Sequence, residues 1–422
     1  MIGPPLALAG LLAACQGNAS SPATPVGEAP LTAVAPAEAS ADTAFAAWLE
    51  GARADAAKRG IKPATIAAAL TDIAPIPRII ELDNSQPEFS NTFTRYLNSA
   101  VSDKRVANGR AQMKKHAALL AALEKQYGVP GRFLVAFWGL ESDFGRDSGS
   151  FPVVNALATL AYDGRREAFF RDEMLKALVI LDRGHITLAK MKGSWAGAMG
   201  QTQFMPSTFL SSAIDQDRNG QVDIWDSVPD TLGSGANYLK NLGWDAARTW
   251  GREVRIPESF DVKLASLDVD AKENMKPLAA WVTLGVRRAD GGPLPTADIP
   301  ASLVLPAGAR GPAFLIYDNY RIILKWNRSA FYAIAVGHLA DRLIGGGGLN
   351  VAAREGEPLR REDVVALQEG LVALGLLKSA DGALGSGTRQ AIRAFQNANG
   401  LTPDGYANRQ LKDTIRSRAG LG

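Results

Sequence analysis

Phe137-Trp138-Gly139-Leu140-Glu141-Ser142-Asp143-Phe144-Gly145 is the stretch that decides the fold. Pro130, just upstream, can occupy the first turn of a helix, where its missing N–H is no loss. From there Leu134, Phe137, Trp138 and Glu141 recur at spacings of three and four and share one face. A carboxyl held on an apolar face loses hydration in its charged form, so its pKa should rise toward neutrality, as a general acid requires. Asp143 lies two residues on and points to another face, which makes it a poor second carboxylate for an ordinary glycosidase. The bland alternative is a glutamate that reaches out to solvent or caps a neighbouring helix.

Working outward, helical periodicity begins at Phe45-Ala46-Ala47-Trp48-Leu49 and recurs through Ile66 to Leu70, Ala111 to Leu123 and Phe133 to Leu140. Beyond Trp250 the texture changes. Short alternating stretches, Glu253 to Ile256, Ala280 to Arg287 and Ala301 to Leu305, are broken by Asp290-Gly291-Gly292-Pro293 and Pro306, and they predict a β-rich insert over about 251–316. Helical pattern returns at Ala330 to Leu343. Gly345 to Gly348 then predicts a flexible joint before a last segment, 355–418. The expected fold class is mainly α: a helical core with an added helical domain and a small β-rich insert, followed by a separate helical tail.

Composition sets the outer limits. A chain of 422 residues, 46% of them hydrophobic, can bury a large core and divide into two or three domains. A formal net charge of +3 is too even for a nucleic-acid binder, so no nucleic-acid partner is expected. His116, His185 and His338 are scattered without HExxH spacing, and neither a GxSxG elbow nor a P-loop occurs. The lone cysteine is more informative. Leu12-Ala13-Ala14-Cys15 ends a short apolar run from Leu6, the pattern of a lipoprotein signal (1–14) cut before Cys15, whose thiol and new amino group take acyl chains. Met1 to Pro5 carries no Lys or Arg, a departure from that pattern. Residues 15–42 are rich in Ala, Pro, Ser and Thr and predict a disordered tether. Some 25 such residues have a mean reach of about 30 Å, enough to hold an anchored domain clear of the membrane surface.

A second segment has the composition of a sugar site. Gly193-Ser194-Trp195-Ala196-Gly197-Ala198-Met199-Gly200-Gln201-Thr202-Gln203-Phe204-Met205-Pro206 mixes tiny residues, amides and aromatics, so a ring could approach the backbone, stack, and be held by Gln or Ser. Tight helix packing through Gly and Ala explains the same composition about as well.

Taken with Phe137 to Gly145, this segment, Ile224-Trp225-Asp226 and Gly235-Ala236-Asn237-Tyr238-Leu239 resemble the membrane-bound lytic murein transglycosylase B family, from about Phe45 to Leu343. The resemblance implies a lysozyme-like helical catalytic region (43–345) and places that family's lone catalytic glutamate on Glu141. It implies sugar contacts from Ser194, Gln203 and Tyr96, and from Trp326, Asn327 and Tyr332, with Trp326 standing where the family has tyrosine. The implied reaction cleaves the β-1,4 bond between N-acetylmuramic acid and N-acetylglucosamine in peptidoglycan strands. Glu141 serves as acid and then as base, and a 1,6-anhydro ring forms. No organic cofactor is implied.

Asp215-x-Asp217-x-Asn219-Gly220-Gln221-x-Asp223 places oxygen ligands at alternate positions with glycine sixth, the front half of an EF-hand loop, which predicts a structural calcium. Gln221 would contribute its backbone carbonyl. The twelfth position is Asp226, and the resemblance suggests closure through Asp230 instead. A plain Asp/Asn/Gly turn is the competing explanation.

In the tail, Leu367-Gln368, Leu374-Gly375-Leu376, Asp381-Gly382, Thr388, Phe395-Gln396, Gly400-Leu401 and Asp404-Gly405 resemble the three-helix peptidoglycan-binding domain, with a departure over Tyr406 to Leu411. The expected protein is a periplasmic lipoprotein attached to the outer membrane through Cys15. Two rival functions remain: a muramidase that uses water, which needs a base on the far face of the sugar, and a non-catalytic wall-binding scaffold.

Overall fold

A computed structural model describes residues 37–85, 91–353 and 355–421. Cys15 and most of the expected tether lie outside them. Helix Ala37–Lys58 begins inside the stretch assigned to the tether, because Ala37 to Ala46 is an alanine-rich run whose helix propensity outweighs its lack of apolar period. Among the described residues no helix is long and apolar enough to cross a membrane. The chain forms two compact units, 91–140 with 235–421, and 37–85 with 141–234.

The second of these units is helical around Val153–Tyr162, eight of whose residues are buried on every side and which packs on Glu167–Asp182. Helices Ala37–Lys58 and Pro63–Leu70 cover Glu167–Asp182. A two-stranded ribbon, Phe151–Pro152 against Lys192–Gly193, leads into the glycine-rich segment.

The first unit holds helices Phe93–Ala100, Asp103–Lys115, Ala117–Tyr127, Asp318–Trp326 and Ala330–Leu343, and most of Gly131–Ser142. The periodic stretch Ala111 to Leu123 is two helices, not one. The chain leaves helical geometry at His116 (φ −108°), a break with no proline or glycine to announce it. Gly337 passes so close to Trp250 that a Cβ there would lie 2.1 Å from its Cδ2, while the Trp250 indole N–H donates to Asp341 at 3.0 Å.

The β insert is a five-stranded antiparallel sheet ordered Lys276–Pro277, Pro300–Val304, Ala313–Ile316, Gly251–Arg255, Arg287–Arg288. Its core gathers Leu278, Trp281, Leu303, Leu315 and Tyr317. The strand expected over Ala280 to Arg287 is a correction. Pro277 starts a short helix, Leu278–Thr283, in which Leu278 and Trp281 fall on the buried side, and only Arg287–Arg288 extends. The tail is three helices, Arg361–Ala373, Ser386–Ala398 and Arg409–Arg418, around Leu367, Leu371, Ile392, Phe395 and Ile415.

The expected flexible joint at Gly345 to Gly348 is bounded by hydrogen bonds on both sides. Gly346 N–H bonds Asp341 O at 2.9 Å, and the next residues are clasped by Glu253, which accepts from the backbone of Asn350 and Val351 at 2.9 Å each. Glu355 then accepts the N–H groups of Phe93 and Thr94 at 3.0 and 2.7 Å. These are free donors at the start of helix Phe93–Ala100, where a carboxylate is electrostatically favoured.

Candidate active site

Helix Gly131–Ser142 is apolar nearly all round: Phe133, Leu134, Val135, Ala136, Phe137 and Trp138 are all buried. Glu141, in its last turn, is 3% exposed. The one-sided apolar face read from the sequence is therefore part of a largely buried helix, and what distinguishes Glu141 is that it is the carboxyl carried there. The helix stops because Asp143, Phe144 and Gly145 take left-handed φ values of 49°, 63° and 80°. Ser142 Oγ accepts the Gly145 N–H at 3.1 Å and donates to Gln201 O at 2.9 Å, which ties the end of this helix to the glycine-rich segment. Asp143 is ion-paired with Arg146 at 2.5 Å.

The segment Gly193 to Pro206 is held by contacts that larger side chains would block. A Cβ on Gly149 would stand 2.2 Å from the Gly193 carbonyl, and one on Gly193 would stand 2.0 Å from Ala198 O. Ser194 Oγ accepts the Ala198 N–H at 3.1 Å, leaving its hydroxyl proton to be donated elsewhere. Gln203, at φ 50°, donates its amide to Ser148 O and Gly200 O at 2.9 and 2.8 Å, so the polar atom it has left for a ligand is its carbonyl oxygen. Thr202 Oγ1 beside it is buried and has no hydrogen-bond partner among the described residues. Helix Pro206–Ser212, which follows, has no side-chain cap of its own. The buried carboxylate of Glu173 accepts the Ser207 N–H at 2.8 Å instead. Neither Thr202 nor Glu173 was singled out from the sequence. An unpaired hydroxyl and a cap supplied from another helix leave no local signal.

Glu141, Ser194 and Gln203 belong to one compact unit; Tyr96, Trp326, Asn327 and Tyr332 belong to the other. Within the latter, Trp326 stacks on Phe137 with ring centroids 4.3 Å apart and lies 5.3 Å from Tyr238. Gly235 lies against the indole, where a Cβ would sit in ordinary van der Waals contact, 3.5 Å from its Cη2. Tyr332 is 6.2 Å from Phe137, and Tyr96 is 5.9 Å from Phe331. Asn327 is 2% exposed, and neither atom of its side-chain amide has a partner among the described residues. Leaving such a group unsatisfied is costly unless a ligand or water completes it.

In the acidic loop, Asp215, Asp217 and Asp230 converge, with one carboxylate oxygen from each lying within 4.8 Å of the others. Asp230, fully buried, accepts the N–H groups of Gln216 and Asp223 at 2.8 Å each, and burial pushes its carboxyl above the usual range. Asp226 stands outside the group, paired with Lys190 at 3.2 Å. Asn219 Oδ1 accepts the Gln221 N–H at 2.9 Å, and Gly220 turns the chain at φ 93°. Three anions drawn together, one of them buried, suit an oxygen-seeking divalent cation.

Residues 44–341 match the model of the transglycosylase SLT domain family, and residues 360–415 match that of a peptidoglycan binding domain. The chain is 29% identical over 274 residues, 62% of its length and 72% of the relative's, to membrane-bound lytic murein transglycosylase B of Escherichia coli K12. Among solved structures it is similar to SltB3 of Pseudomonas aeruginosa in complex with NAG-anhNAM-pentapeptide, at 44% identity and a TM-score of 0.84, over 88% of this chain and 99% of that one. It is also similar to the Escherichia coli lytic transglycosylase SLT35 in complex with calcium, at 26% identity and a TM-score of 0.57, over 72% of this chain and 92% of that one.

Proposed function

Because this chain belongs to the transglycosylase SLT domain family and is a lytic transglycosylase, an enzyme that cleaves glycosidic bonds of peptidoglycan, we propose that Glu141 carries its chemistry, first as acid and then as base. The observation that carries this reading is the buried carboxyl of Glu141 at the end of an apolar helix, beside the segment that bears Ser194 and Gln203. Glu141 gives its proton to the glycosidic oxygen between N-acetylmuramic acid and N-acetylglucosamine as that bond breaks. The acetamido group of the substrate stabilises the positive charge at the anomeric carbon. Glu141, now a carboxylate, takes the proton of the muramic C6 hydroxyl, whose oxygen closes the 1,6-anhydro ring, so the proton count balances and no water is consumed.

The remaining residues divide by what they can offer. The Ser194 hydroxyl donates, the Gln203 carbonyl accepts, and the Asn327 amide does both. Trp326, standing where the family has tyrosine, presents an indole braced by Phe137 and Tyr238 and no hydroxyl. Asp143 makes an unsuitable base for the water-using alternative because it is paired with Arg146. Mass spectrometry of products from purified peptidoglycan tests the reading: muropeptides with anhydro ends are expected, and reducing ends throughout would assign the muramidase reaction instead.

The converging aspartates support a structural calcium held by Asp215, Asp217 and Asp230, with Asn219 and the Gln221 carbonyl completing it. Asp230 takes the closing place in preference to Asp226, which Lys190 engages. Such an ion would brace the loop that follows Pro206 and take no part in bond breaking. Calcium at 100 times its dissociation constant should add about 2.7 kcal/mol of stability. The melting temperature of the parent should rise with calcium and fall with chelator, magnesium should substitute weakly, and Asp215→Ala should respond to neither. An equal calcium response in both proteins would remove the site.

Lipidation of Cys15 is the proposed anchor, placing the enzyme in the periplasm on the outer membrane. Support comes from Leu12 to Cys15 and from the Escherichia coli relative, which is named membrane-bound. Cys15→Ala should move the protein from the membrane fraction to the soluble periplasmic fraction, because the acyl chains are the anchor proposed. Retention in the membrane fraction would end that assignment.

A further inference from the structure

The tail contains the same device twice. In the first copy, left-handed Gly375 (φ 72°) ends helix Arg361–Ala373 and leads to Leu376. Gln368 Oε1 accepts the N–H groups of Asp381 and Gly382 at 3.0 and 2.7 Å, and its Nε2 donates to Asp381 Oδ1 at 2.8 Å. In the second copy, left-handed Gly400 (φ 68°) follows helix Ser386–Ala398 and leads to Leu401. Gln396 Oε1 accepts the Gly405 N–H at 2.8 Å, and its Nε2 donates to Asp404 Oδ1 at 2.8 Å. Gly382 and Gly405 are both left-handed, at 75° and 70°.

The surroundings of the two copies differ. The second Asp-Gly turn is covered by the β insert. Its Asp404 Oδ2 accepts the Ala309 N–H at 2.9 Å, and a Cβ on Gly405 would lie 2.7 Å from Leu267 Cδ2. Arg393, on the helix before it, donates to Ala265 O at 2.9 Å. The Tyr406 hydroxyl donates to Glu355 at 3.2 Å, the carboxylate that also caps helix Phe93–Ala100, the bearer of Tyr96. The first turn opens instead on a cavity of about 450 Å³ whose walls include Gln368, Lys378, Ser379, Asp381 and Thr388. Gly385 and Gly387 leave it unobstructed, since a Cβ on either would meet nothing within 4 Å.

We propose that the two copies have divided the work: the second, through Arg393, Asp404, Gly405 and Tyr406, docks the tail onto the β insert, and the first presents its cavity to a segment of peptidoglycan. The ligand half rests on the wall-binding reading of the tail. Lys378 and Asp381 place one cation and one anion in the cavity lining, which suits a peptide stem carrying both an amine and carboxylates. The departure begins at Tyr406, whose side chain contacts Glu355 and lies against Gly308 of its own chain.

The test uses the full chain in a Glu141→Gln background, so that added insoluble peptidoglycan is not consumed. Two readouts are taken, the rate at which limited trypsin treatment releases the tail as a fragment and co-sedimentation with peptidoglycan. Arg393→Ala with Asp404→Ala should be cut at least about tenfold faster, since cleavage follows the population of the undocked form, and should sediment like the parent. Gly387→Trp should stay as resistant as the parent and sediment less. Tyr406→Phe, which removes one hydroxyl, should give a smaller rise in cleavage and guards against misfolding of the double variant. Unchanged cleavage in both dock variants overturns the dock. Loss of sedimentation by the double variant, with retention by Gly387→Trp, assigns the ligand to the second copy and overturns the division. A parent that does not sediment removes the wall-binding reading, and cleavage then still decides the dock.

Discussion

Glu141→Gln should fold with an unchanged melting curve and lose muropeptide release by about 10³-fold or more. The amide keeps the shape and burial of the carboxyl in a site where Glu141 is 3% exposed, so packing is conserved. It cannot give up a proton to the glycosidic oxygen, nor take one from the C6 hydroxyl. Both halves of the reaction should fail together, and substrate binding should change far less than turnover. Release of anhydromuropeptides at near the parental rate would show that another group supplies the acid.

The second large effect is on stability in acid. His338, on helix Ala330–Leu343, has its pKa lowered to about 4 by burial, with a smaller contribution from Arg342 one turn on. The unfolded chain titrates near the ordinary histidine value of 6.5, so below that pH it binds a proton that the folded protein refuses. The stabilising contribution is therefore present above about pH 6.5 and is lost as the pH falls through about 4. A difference between 6.5 and about 4 corresponds to roughly 3 kcal/mol once the loss is complete, most of it already gone at pH 4. Asp341 and Asp230, whose carboxyls are raised chiefly by burial, act in the opposite sense, so the comparison must be between variants. Denaturant unfolding of the parent and of His338→Gln at pH 7 and pH 4 should show the parent losing about 2–3 kcal/mol more than the variant. Parallel losses would mean that His338 is as easily protonated in the folded protein as in the unfolded one.

Much of the architecture was legible because it is local. The apolar run into Glu141, the change of texture at Trp250 and the Gln and Asp-Gly landmarks of the tail each reflect a periodicity or turn within a few residues. What escaped depends on distant partners. Ala280 to Arg287 reads as a strand, and the helix over Leu278–Thr283 follows from Pro277 and from the core that takes Leu278 and Trp281. The glycine run after Leu343 reads as a loose joint because nothing near it reveals that Glu253 waits for Asn350, 97 residues on in sequence. Counting ligands along the acidic loop reaches Asp226 at the twelfth place. The turn into helix Val228–Asn241 brings up Asp230 instead. Residue identities nominate Glu141, Ser194 and Gln203 as candidates, whereas the carbonyls that fix Gln203, from Ser148 and Gly200, belong to backbone that any side chain could have supplied.

The backbone beyond Glu141 bears on how such an enzyme can be toughened. Asp143, Phe144 and Gln203 hold left-handed conformations that side chains other than glycine adopt at a cost of about 1 kcal/mol or more each. Relieving that strain by glycine is among the simplest ways to raise resistance to heat, yet these positions frame the end of the Glu141 helix and the amide of Gln203. Screens for thermal tolerance should therefore keep turning up changes in which heat resistance rises while turnover declines. Ordinary surface positions on the outlying helices, such as those of Ala37–Lys58, offer tolerance without that exchange.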